Sequence, residues 1–138
     1  MKAKDLMSTK PEILTPETTL KEAAIKMQKK DIGFLPIGEN DRLIGVITDR
    51  DIAIRGVAAG KDPTKTTVKD IMTSEVDYCF EKDTAVKVAD MMSDLQVRRL
   101  MVLNDDKRLV GIISLGDFAT KSHDDALSGK TTNAISCH

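Results

Sequence analysis

The sequence predicts an α/β (α+β) fold made of two pseudo-symmetric β-α-β-β-α units. Three observations lead there. The chain matches itself at a spacing of 66 residues, so that residues 18–53 lie on 84–119 with nine of 36 positions identical, among them Lys21/Lys87, Gly45/Gly111, Ile47/Ile113 and Asp51/Asp117. Each copy carries a helix-period apolar pattern followed by two strand-like runs. The composition, 41% hydrophobic and 31% charged over 138 residues, is that of a folded globular chain with a core large enough to need no disulfides.

The elements follow in order. A short strand is expected near residues 12–14 and again near 76–80. Leu20, Ala23, Ala24 and Met27 then fit one helical face, and Val88, Met91, Met92 and Leu95 fit it in the second copy. The polar runs Thr15-Pro16-Glu17-Thr18 and Glu81-Lys82-Asp83-Thr84 precede these helices as caps do. Each hairpin has two apolar runs around a polar turn, Gly38-Glu39-Asn40-Asp41 in one and Asn104-Asp105-Asp106-Lys107 in the other. A last helix begins at Thr48 or Ser114. Upstream, at a spacing of 65, Lys4-Asp5-Leu6-Met7-Ser8 meets Lys69-Asp70-Ile71-Met72-Thr73, which places one inserted residue between Thr73 and Thr84. The repeats are bounded as residues 2–58 and 67–122, with a linker at 59–66 and a polar tail at 123–138.

Several function classes are set aside at once. Lys+Arg number 21 against 22 Asp+Glu, a net charge of −1, and aromatics make up 3%. Neither a field for nucleic acid nor a base-stacking surface is present, so no nucleic-acid partner is expected. MKAKDLMSTK has no apolar core, and no uncharged stretch approaches membrane-spanning length, so a cytoplasmic protein with no membrane association is expected. Cys79 and Cys137 read as reduced thiols, and no metal site is expected. Gly129-Lys130-Thr131 lacks the glycine a phosphate loop needs five residues earlier, where Asp124 stands. His123 and His138 fall in the tail, so no acid–base or nucleophilic constellation forms within the repeats, and no catalytic residue is expected.

Thr48-Asp49-Arg50-Asp51 and Ser114-Leu115-Gly116-Asp117 both read [ST]-x-x-D after a strand. One explanation is an N-cap hydroxyl with a carboxylate three residues on. The other uses the same geometry for a ligand. The aspartate accepts from two vicinal ribose hydroxyls, and the hydroxyl side chain reaches a phosphate at the helix start.

Taken together, the paired Lys-Asp-Leu-Met-Ser and Lys-Asp-Ile-Met-Thr, Gly33-Phe34-Leu35-Pro36, the run from Leu43 to Ile52, Arg98-Arg99-Leu100-Met101-Val102 and residues 109–118 resemble the tandem cystathionine β-synthase (CBS) domain pair, the Bateman module. The resemblance covers roughly residues 2–120. It implies two repeats about a pseudo-twofold axis with two clefts between them, a homodimer, and adenosine ligands such as AMP, ATP or NAD. It also implies a regulatory rather than catalytic role, exerted on a separate effector protein. By position, it assigns one cleft to Asp117 for ribose, Ser114, Arg98 and Arg99 for phosphate, and Glu12, Ile13, Ile32 and Gly33 around adenine. The other takes Asp51 for ribose, Thr48 for phosphate, and Tyr78 and Cys79 at the adenine, with Arg98 shared. At the spacing of 66, Gly33 is matched by Arg99 and Leu35-Pro36 by Met101-Val102, so the clefts are expected to differ in charge. A scaffold with non-binding clefts is the alternative.

Overall fold

The structure is a computed structural model, and it describes residues 1–121. The tail, with His123, Gly129-Lys130-Thr131, Cys137 and His138, lies outside the described residues. The described residues form two compact units: Glu12–Val76, and Met1–Pro11 together with residues 77–121.

In the Glu12–Val76 unit, helix α2 (Leu20–Lys30) starts at a capping box. Thr19 Oγ1 accepts from the Glu22 amide at 3.2 Å, and Glu22 Oε1 accepts from the Thr19 amide at 3.1 Å. The helix stops at Asp31, in the left-handed conformation with φ 53°. Strands β2 (Phe34–Glu39) and β3 (Arg42–Thr48) form the expected hairpin. Its two-residue turn places Asn40 and Asp41 at φ 54° and 64°, the pattern that suits the twist of a tight hairpin. The strand expected near residues 12–14 is reduced to one bridge, Leu14 parallel to Ile37, because Pro11 and Pro16 close the segment on both sides and have no N–H to donate. Helix α3 (Asp49–Asp51) runs into a π-helical stretch, Ile52–Val57, where the Ala58 amide reaches the Ala53 carbonyl at 2.9 Å. The short helix α4 (Val68–Ile71) leads to Thr73, which pairs antiparallel with Val46. Leu14, Leu20, Ala23, Met27, Leu35, Ile37, Ile47, Val68 and Ile71 form the core. Ala24 faces solvent, unlike the expectation, because only the i, i+3, i+7 stripe meets the hairpin.

The other unit contains α1 (Ala3–Leu6), β1 (Ser8–Thr9), β4 (Tyr78–Phe80), α5 (Ala85–Leu95), β5 (Arg99–Leu103), β6 (Leu109–Ser114) and α6 (Leu115–Lys121). The sheet order is β1-β6-β5-β4, with β4 parallel to β5 and the other pairs antiparallel. Its core is Ala3, Leu6, Cys79, Ala85, Val88, Ala89, Met92, Leu100, Val102, Ile113 and Phe118. Met91 is half-buried, and Leu95, at the last turn of α5, is 43% exposed rather than on the buried face.

Sequence repeat and compact unit differ at their edges. The leading segment of each repeat completes the opposite unit: Ser8 and Thr9 pair with β6, and Thr73 pairs with β3. The match extends to the caps. The Leu20 amide of α2 donates to the Thr66 carbonyl, and the Ala85 amide of α5 donates to Met1. Residues 63–66, within the expected linker, thus satisfy amides at the start of α2 that would otherwise lack partners.

The inserted residue does not lie between Thr73 and Thr84. N-caps Thr19 and Thr84, α2 and α5, and strand starts Phe34 and Arg99 all stand 65 apart. From β3 and β6 onward the spacing is 66. The extra residue sits in the hairpin turn. Two residues join β2 to β3, whereas Asn104 and Arg108 close a longer loop whose Lys107 alone takes positive φ, 60°. Gly33 is therefore matched by Arg98, not Arg99, and Leu35-Pro36 by Leu100-Met101. The backbone shows the equivalence: the Asp49 amide donates to the Gly33 carbonyl at 3.0 Å, and Leu115 donates to Arg98 at 3.1 Å.

Candidate functional site

In both [ST]-x-x-D motifs the aspartate folds back on the first residue of the motif at the strand-to-helix turn, and at Thr48 the cap is reciprocal. Thr48 Oγ1 accepts from the Asp51 amide at 3.0 Å, and Asp51 Oδ2 accepts from the Thr48 amide at 3.0 Å. At the other motif, Asp117 Oδ2 accepts from the Ser114 amide at 2.7 Å and from its hydroxyl at 3.2 Å. Asp117 is the one buried charged residue among those described, at 9% exposure. The cap explanation thus holds in full at Thr48 and in its carboxylate half at Ser114, whose hydroxyl donates to Asp117 instead of accepting from its amide. It leaves room for a ligand, because a carboxylate offers about four acceptor positions and these bonds fill one at Asp51 and two at Asp117.

The other oxygen of each carboxylate faces a cation one helical turn later. Lys121 Nζ lies 3.2 Å from Asp117 Oδ1, and Arg55 Nε lies 3.9 Å from Asp51 Oδ1. Neither cation was singled out by the motif, although acid and base at i and i+4 recur in both copies at the same spacing.

The remaining expected residues divide by unit. In the unit that holds Asp117, Arg99 pairs with Ser114 across β5–β6, and Arg98 supplies its carbonyl to the start of α6; both side chains are exposed. Tyr78 is 39% exposed and its ring stands edge-on to Phe80 at 5.7 Å. Cys79 points into the core with 1% exposure, so its side chain is strand filling and Tyr78 alone of the two presents its ring. In the unit that holds Asp51, Gly33, although expected beside Asp117, lies against α3, where a Cβ would stand 2.7 Å from Asp49 Oδ2, so no larger residue fits without displacing that carboxylate. Ile32 is 37% exposed and Ile13 half-buried. The Glu12 carboxylate is engaged by Lys26 at 2.7 Å and Lys30 at 3.7 Å, and the Lys26 hydrogen bond and charge hold it below the usual carboxylate range. Its backbone, rather than its side chain, is left to meet a ligand.

Burial, with the Asp83 charge second, pushes the Cys79 thiol from 9.0 up to about 12. The thiolate is the reactive form, so maleimide at pH 8 should leave the Cys79 peptide unlabelled in native protein and label it in denaturant. Fast native labelling would contradict the burial. The folded state keeps this proton where the unfolded state loses it, so the contribution to stability falls as pH rises from 9 towards 12.

Among the described residues, no group of three or more His, Cys, Asp or Glu could hold a metal ion, and no helix is long and apolar enough to cross a membrane.

Two copies of one α+β unit, each with a capped aspartate at its strand-to-helix turn, define a tandem CBS pair. The CBS domain family model matches residues 3–56 and 68–124, and the chain belongs to that family. It is 35% identical to CBS domain-containing protein YhcV of Bacillus subtilis over 96% of this chain and 94% of that protein. Hypoxic response protein 1 of Mycobacterium tuberculosis is 39% identical over 85% of this chain and 82% of the relative. Among solved structures, the Hypoxic Response Protein I crystal structure with two coordinated zinc ions matches with TM-score 0.77 at 38% identity, covering 87% of this chain and 98% of the other. The CBS domain pair of protein MJ0100, in complex with 5′-methylthioadenosine and S-adenosyl-L-methionine, matches with TM-score 0.73 at 31% identity over 87% and 98%.

Proposed function

We propose that this protein is a non-catalytic, cytoplasmic regulatory module that senses an adenosine compound and signals, as a homodimer, to a separate effector protein. The observation that carries the reading is the duplicated aspartate at the strand-to-helix turn, each with acceptor capacity left for ribose hydroxyls. Support comes from MJ0100, whose CBS pair, 31% identical, was solved with two adenosine compounds. In this reading Asp117 and Asp51 take ribose, while Ser114, Thr48, Arg98 and Arg99 meet phosphate. Glu12, Ile13, Ile32, Gly33, Tyr78 and the Cys79 backbone border adenine. Ligand works by favouring one conformation over another, and its effect on a partner equals its difference in affinity for the two.

Melting curves with AMP, ATP, NAD and S-adenosylmethionine test it. A ligand at 100 times its dissociation constant adds about 2.7 kcal/mol, which for a chain of this size is on the order of 5–10 °C. Asp117→Ala or Asp51→Ala should reduce that shift while lowering the stability of the apo protein by a cap's worth, about 1 kcal/mol, and its melting temperature with it. If no adenosine compound at millimolar concentration moves the wild-type curve, the scaffold alternative replaces the sensor.

A further inference from the structure

The two cations beside the aspartates make a second bond, and it is the same bond in both copies. Lys121 Nζ, besides facing Asp117, donates to the Leu6 carbonyl at 2.9 Å. Arg55 Nη1, besides facing Asp51, donates to the Ile71 carbonyl at 3.2 Å. Leu6 ends α1 and Ile71 ends α4, the leading helices that each repeat contributes to the opposite unit. Each aspartate is therefore joined, through one side chain, to the last carbonyl of a one-turn helix from the other repeat, an acceptor that the helix itself leaves open.

The two ties are unequal. Lys121 stands within hydrogen-bond distance of both partners, beside a carboxylate whose side chain is 12% exposed. Arg55 is 53% exposed and reaches Asp51 only at 3.9 Å, an ion pair without a hydrogen bond. The Asp117 carboxylate is held at both oxygens, by Ser114 on Oδ2 and Lys121 on Oδ1. On Oδ1 an acceptor position stays open beside the lysine, and on Oδ2 one opens when the Ser114 hydroxyl turns away.

We propose that Lys121 and Arg55 are positioning residues. Each orients a ribose-binding aspartate by anchoring it to the leading helix supplied by the other repeat, and Lys121 does so more strongly. This rests on the adenosine reading above and adds to it: the Asp117 half-site is the preorganised one, and its occupancy is coupled to α1 and β1. By linkage, a ligand that stabilises the oriented carboxylate also stabilises the segment anchored to it.

The probe is 5′-methylthioadenosine, which carries the ribose diol without a phosphate and so isolates the carboxylate from Arg98 and Arg99. A charge-assisted bond screened by partial exposure is worth about five- to tenfold, so Lys121→Met should weaken binding by that factor and Arg55→Met by less than about threefold. Lys121→Arg should restore affinity to within about twofold, since guanidinium can span the same two acceptors. Amide exchange at residues 3–9 should slow on adding the compound to wild type and Lys121→Arg, but not to Lys121→Met. A purely structural lysine would speed that exchange in the unliganded variant while leaving affinity and the ligand-induced slowing intact, and that result overturns the proposal. So does a larger loss from Arg55→Met than from Lys121→Met. If wild type binds neither 5′-methylthioadenosine nor AMP, the adenosine reading falls and takes the coupling with it. That failure is recognised because unliganded Lys121→Met still exchanges faster than wild type at residues 3–9.

Discussion

Deleting Met1–Pro11 should unfold the unit formed by the far end of the chain. Ala3 and Leu6 are fully buried in the core that holds Phe118 and Met92, and β1 covers the edge of β6. Met7 fills the space over Gly111, where a Cβ would collide with its sulfur. Removing one buried leucine alone costs about 2–5 kcal/mol, and the deletion adds the strand pairing and the cavity left by Met7. The total reaches the scale of a whole domain's stability, about 5–15 kcal/mol. Native-state hydrogen exchange reads this by element: β5, β6 and α5 should lose protection, while β2 and β3 keep theirs. The grouping of residues 2–58 as one repeat suggests the opposite pattern. Loss confined to residues 12–76 would refute the exchange of leading segments.

Phe118→Ala should be the most damaging single truncation. Phe118 leads the fully buried side chains by volume, and it joins α6 to the core that α1 and α5 share. A buried Phe→Ala change costs about 3–5 kcal/mol, and for a chain of this size that lowers the melting temperature by roughly 10–20 °C. The residue at the matching position is Ile52, which is only partly buried against its unit's core. Ile52→Ala should therefore cost clearly less. Equal losses at the two positions would mean that α6 and the π-helical stretch pack alike, against the burial seen here.

The local elements were legible because their signals are local. The cap of α2 falls one residue past the polar run expected to hold it, on Thr19, which with Glu22 three residues on forms a capping box from neighbours alone. Asn40-Asp41 between two apolar runs makes a hairpin turn by its own backbone preference. The [ST]-x-x-D motifs were legible as caps, which the structure completes at Thr48 and half-completes at Ser114, where the aspartate holds the serine amide and hydroxyl. Arg55 and Lys121 were visible as i+4 charges, but their second partners, the carbonyls of Ile71 and Leu6, are 16 and 115 residues away. Pattern within a helix carries no trace of such partners.

Register was harder for the same reason. At a spacing of 66 the helices score Ala23 against Ala89, yet the pair that shares a structural position is Ala23 and Val88, both buried. Identity in a helix is cheap when alanine and lysine recur, whereas burial is set by what the helix packs against. The inserted residue settled where a turn could absorb it, in the loop closed by Asn104 and Arg108, because an extra residue in a helix or strand would rotate every later side chain off its face.

The sequence by itself determined the repeat, the order of elements, their caps and the two aspartates, all of which depend on neighbours within a few residues. Tertiary structure decided which unit each leading segment completes. Lys4-Asp5-Leu6-Met7-Ser8 and Lys69-Asp70-Ile71-Met72-Thr73 are so alike that their local energies do not tell one sheet edge from the other. The choice is made by long-range packing, Met7 over Gly111 and Met72 over Gly45, with Lys121 and Arg55 closing onto the helix ends.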